Sequence, residues 1–75
     1  MAGPHFASKE KMQVSAYRDM AAEALRSVAE YNARAQWFEL KHEPAIANEY
    51  RQLAQEALAR AQRYKALADL TEKHS

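Results

Sequence analysis

Few side chains in this sequence have the types and spacing that chemistry needs. Glu39 and His42 stand in a Glu-x-x-His spacing, which in di-iron helical bundles supplies two metal ligands from one helix. Here the pair falls beside Pro44 in an expected turn, and Glu43 or Glu49 would have to complete the site. Lys41 and His42 more simply complement the negative C-terminal end of a helix dipole. His5 and His74 have no evident partners, so neither a metal nor a cofactor is expected. Nucleophilic catalysis needs a base poised beside Ser, Cys or Lys in a pocket. Ser15 and Ser27 have no histidine one helical turn away, cysteine is absent, and there is no glycine-rich phosphate loop. No catalytic residue is assigned and no enzyme is expected.

The arginines Arg18, Arg26, Arg34, Arg51, Arg60 and Arg63 are candidates for phosphate or carboxylate contacts. Eleven Lys and Arg against ten Asp and Glu leave a net charge of +1, and the acids are interleaved throughout. That balance exerts no strong pull toward nucleic acid or anionic lipid. Glu30 with Arg34, Glu56 with Arg60 and Asp69 with Lys73 also fit i, i+4 pairs on solvated helix faces. Nucleic acid is therefore the weaker expectation: a Rop-like helical-hairpin dimer binding RNA or DNA, an analogy of architecture alone, with no matching motif.

The elements that must position these groups are long helices. Of 36 apolar residues 17 are alanine, with one glycine and two prolines in 75 residues. Residues 1–7, with Gly3 and Pro4, read as a disordered arm or cloning remnant ahead of a single helical-hairpin domain at 8–75. Ser8 is the expected N-cap of a first helix over about 8–41, with Glu10 in its first turn. The punctuation at Lys41-His42-Glu43-Pro44 predicts a turn at 42–44, with Pro44 opening a second helix over about 44–73. No apolar run approaches 18 residues and no signal-peptide pattern is present, so the expected location is the cytoplasm, with no membrane association.

Val14, Tyr17, Ala21, Ala24, Val28, Tyr31, Ala35 and Phe38 recur at alternating spacings of three and four, as do Ala47, Tyr50, Ala54, Ala57, Ala61, Tyr64, Ala68 and Thr71. These are the a and d positions of a heptad seam. Shifting the chain by 33 residues superposes ten identities, among them Tyr17 on Tyr50, Arg18 on Arg51, Leu25 on Leu58, Tyr31 on Tyr64 and Glu39 on Glu72. Duplication and a shared heptad pattern both account for this match, and one helix per repeat argues against a solenoid. The fold class is all-α, an antiparallel hairpin of two long helices. A turn centred near residue 43 or 44 makes facing residue numbers sum to about 88, pairing Phe38 with Tyr50 but Tyr31 with Ala57, Ala24 with Tyr64 and Tyr17 with Thr71. Large-against-small layers of that kind let helix axes come close.

Alanine layers bury little area, and a single core of this size seldom supplies more than roughly 3 to 5 kcal/mol. Met20, Leu25, Ile46, Leu53, Leu58 and Leu67 flank the seam at e and g positions, so together with Tyr17, Tyr31, Tyr50 and Tyr64 they form the expected core or dimer surface. A homodimer closing a four-helix bundle follows. Trp37 and Leu40 lie off the seam, at c and f, near the tip. With Phe38, Ala33, Arg34 and Arg26 they form the expected site for another protein, a rigid aromatic anchor flanked by orienting arginines. Protein binding by a small regulator, as adaptor, chaperone or inhibitor, is the function this sequence predicts.

Overall fold

The computed structural model describes residues 3–74. It consists of α1 (Gly3–Leu40) and α2 (Pro44–Lys73), packed against each other as a hairpin measuring 63 × 13 × 10 Å along its principal axes. The backbone is helical from Gly3, five residues ahead of the expected start at Ser8. Pro4 falls in the first turn, where its missing N–H would have had no intrahelical partner. Residues 1 and 2 of the expected arm lie outside the described residues.

The turn is set by backbone hydrogen bonds. The Glu43 N–H donates to the Phe38 carbonyl at 2.9 Å and the His42 N–H to the Glu39 carbonyl at 3.0 Å. Those two bonds form a Schellman cap, which requires a left-handed residue between them. His42 takes that role at φ 62°. Pro44 then opens α2, whose first bond runs from the Ala47 N–H to the Glu43 carbonyl at 3.0 Å.

Every one of the sixteen expected seam residues is buried or half-buried. Among the described residues the buried set consists of Val14 and eight alanines: 21, 24, 35, 47, 54, 57, 61 and 68. No large side chain among the described residues is fully enclosed. The four tyrosines are half-buried and straddle the edge of the seam.

The register differs from expectation by one layer. Phe38 stacks on Tyr50 at 5.5 Å between centroids, as foreseen, but Tyr17 lies against Tyr64 at 6.4 Å and Tyr31 against Tyr50 at 6.3 Å. The cause is the turn, which centres near residue 42 because α1 stops at Leu40 and α2 starts at Pro44. Each residue by which the centre moves changes the sum of facing numbers by two. The corrected register sets Tyr17 level with Ala68 and Tyr64 level with Ala21, in adjacent layers, so that the phenol rings overlap. Offset ring pairs of this kind are worth about 0.5–1.5 kcal/mol beyond their buried area.

Two stability changes are expected. His42→Gly relieves a left-handed conformation that disfavours residues carrying a Cβ, and should stabilise the hairpin by about 1 kcal/mol in urea denaturation. Ala57→Leu places extra methylenes where no side-chain surface is accessible, and should destabilise it by about 1–3 kcal/mol in the same measurement.

Candidate protein-docking site at the hairpin tip

The last turn of α1 carries Trp37 and Phe38 to the tip of the hairpin. Trp37, at a c position, projects away from the seam and remains 54% exposed. Its ring meets the edge of Phe38 at 4.9 Å and 89°, and the Lys41 ammonium lies 5.3 Å from its centroid. Phe38 in turn stacks on Tyr50, which touches Tyr31. Four rings thus run from the exposed tip into the seam, which fixes the orientation of Trp37 by packing rather than by hydrogen bonding.

An open groove beside this tryptophan is lined by Glu30, Ala33, Arg34, Trp37 and Phe38. The fold therefore gathers four of the expected partner-binding residues, Ala33, Arg34, Trp37 and Phe38, on one surface. Leu40 is more exposed than Trp37 and extends the apolar area toward the turn. Arg26 stands about three turns away along α1 and does not line the groove. Phe38 is half-buried, so its contribution is divided between seam and groove.

Glu39 and Arg18, singled out above for metal and phosphate, are engaged in ion pairs across the hairpin. Arg51 donates to the Glu39 carboxylate at 2.6 Å, and Arg18 donates to the Glu72 carboxylate at 2.8 Å. Among the described residues the along-helix pairs Glu30–Arg34, Glu56–Arg60 and Asp69–Lys73 are not within ion-pair distance, whereas these two cross-helix pairs are. The hydrogen bond and charge of Arg51 hold the Glu39 carboxyl below the usual carboxylate range, and Glu39 reciprocally raises the Arg51 guanidinium. Among the described residues, no three His, Asp or Glu side chains gather as a metal site.

The two ion pairs are related by the 33-residue shift, which turns Arg18 and Glu72 into Arg51 and Glu39. It also turns the Tyr17–Tyr64 ring pair into Tyr50–Tyr31. The internal repeat is thus realised as an approximate two-fold axis relating the helices. Cross-helix pairing was the signal carried by those identities, and inspection of single helices misses it. Trp37 and Phe38 break the symmetry, since their equivalents at the open end are Leu70 and Thr71. The Thr71 hydroxyl bonds back to the Leu67 carbonyl at 2.8 Å and forms no aromatic stack.

No family model, curated protein or solved structure matches this chain.

A carboxylate whose affinity for protons is lowered in the folded state stabilises the fold above its ordinary titration range and loses that contribution as pH falls through the depressed value. Thermal stability should therefore decline on acidification below about pH 4, in a step that Glu39→Gln reduces. Both partners are solvent-exposed, so the step should be small, and 1 M salt should shrink it further. Melting curves of the two proteins across pH 2–6 would measure it.

Proposed function

We propose that this chain is a small, non-catalytic protein-binding regulator, an adaptor, chaperone or inhibitor that acts in the cytoplasm as a homodimer and engages a larger protein through the tip of its hairpin. The observation that carries this reading is the Trp37 patch. It occupies the end where the internal two-fold is broken, beyond anything the scaffold's repeated contacts require. A tryptophan fixed by ring packing loses little conformational freedom on binding, and tryptophan is among the residues that dominate interface energetics. Arg34 and Glu30 on the rim of the groove would orient the partner, and Leu40 would extend the apolar contact.

The homodimer part of the proposal rests on the thin core. A hairpin whose buried residues are one valine and eight alanines leaves Met20, Leu25, Leu53 and Leu58 each about two-fifths exposed. Nucleic-acid binding is less well supported, because Arg18 and Arg51 are engaged with acidic residues and the remaining arginines are dispersed among acids.

Trp37→Ala tests the proposal. Affinity capture from the host by the wild-type chain, read by mass spectrometry, should return a discrete protein, and the variant should lose it. A loss of about 2 kcal/mol or more, roughly 30-fold in affinity, is expected of a central aromatic anchor. Helicity and oligomeric mass should be unchanged. A variant that retains the partner, or that changes oligomeric state, would remove the tip from this role. Affinity that falls steeply as salt rises would instead indicate a nucleic-acid ligand.

A further inference from the structure

The apolar residues beside the seam fall on two unlike sides. In the observed heptad frame Arg18, Glu39, Arg51 and Glu72 all occupy e positions, so both ion pairs lie along one side of the hairpin. Leu25 and Leu58 are on that side, in the company of Lys65, and Leu25 lines an open groove with Arg18, Lys65 and Asp69. The g positions on the opposite side hold Met20, Ile46, Leu53 and Leu67. Ile46 and Leu67 are already half-buried there, whereas every e position is exposed. Ser27, also at g and half-buried, donates its hydroxyl to the Glu23 carbonyl at 3.4 Å, so an internal acceptor is available to it away from water.

Resting on the homodimer reading above, we infer that a second copy of this chain covers the g side, with Met20, Ile46, Leu53 and Leu67 at the centre of the interface. The exposed area fits such an occupant. A compact monomer of 8.6 kDa is expected to expose about 4,700 Å², and this chain exposes 5993 Å². The excess, roughly 1,300 Å², is shared between the overhang of α1 and the flanks of the hairpin, and is of the order of the ~800 Å² per partner of a standard stable interface. The stripe runs along about half of the 63 Å rod: Ile46 and Leu67 are separated by about 32 Å along α2. A second copy carries a stripe of the same length to lay against it. Net charge near zero leaves two copies without strong mutual repulsion. Arg60, a charged g residue on α2, has a stem long enough to lie along the stripe with its guanidinium group at the rim. Closing the e side instead would strip water from four ion-paired side chains.

Leu53 and Leu58 provide a matched test, since both lie on α2 and are 39% and 40% exposed. Sedimentation equilibrium of the full chain at 1–100 µM should show the wild type at twice 8.6 kDa. Leu53→Asp should raise the dissociation constant at least about 100-fold and return the single-chain mass, because it places an unpaired charge inside the interface. Leu58→Asp should remain dimeric. Met20→Asp repeats the g-side test from α1. A g-side variant that unfolds on losing its partner still sediments at single-chain mass, and the dimeric Leu58→Asp shows that the same substitution on the same helix is tolerated. A wild type that is monomeric throughout overturns the homodimer reading and this inference with it. A dimeric wild type that Leu58→Asp dissociates, or that Leu53→Asp and Met20→Asp leave intact, overturns the choice of face alone.

Discussion

The close approach of two helices along a seam of small residues is the constraint on which the rest of this molecule depends. Alanine at eight buried positions removes the side-chain bulk that normally separates helix axes. The tyrosines then cannot enter the seam fully, so they lie over its edges and meet one another. Side chains at the e positions of the two helices face one another along one side of this seam, and there the Arg18–Glu72 and Arg51–Glu39 pairs form. Close contact and thin burial are two results of one choice of residue.

An approximate two-fold relating the helices follows from the repeat. Contacts that hold the hairpin together occur twice, once toward each end: a tyrosine pair and an ion pair. Scaffold requirements are thus met by repeated residues, and departures from the repeat stand out against them. The tip departs most, with Trp37 and Phe38 where the other end has Leu70 and Thr71. Packing of Phe38 on Tyr50 ties this departure into the seam, and the resulting ring series holds the tryptophan in a defined direction while leaving half of it in solvent.

Much of this is legible in the amino-acid sequence. The alternating three-and-four spacing identified all sixteen seam residues, because burial along a helix is a property of its periodicity. Pro44 located the start of α2, since proline tolerates only the first turn. The exposed position of Trp37 followed from its place off the seam. Less legible were the contacts between helices. A turn centre displaced by one or two residues leaves every seam residue in the seam but changes which one it faces, and so the tyrosine pairs were misassigned. The roles of Glu39 and Arg18 were hidden for the same reason, as each reads within its own helix as a solvated charge with a vacant valence.

The sequence by itself determined that this chain forms two long helices, which face of each is buried, and where the chain reverses, because these depend on local periodicity and on the backbone chemistry of proline. Tertiary structure alone decided the register, the engagement of Glu39 and Arg18 with partners 12 and 54 positions away, and the separation of the flanking apolar residues into an ion-paired side and a bare one. Those features depend on the vertical offset and distance between two axes. Both are set by how the left-handed cap at His42 turns the chain and how closely alanine lets the helices come.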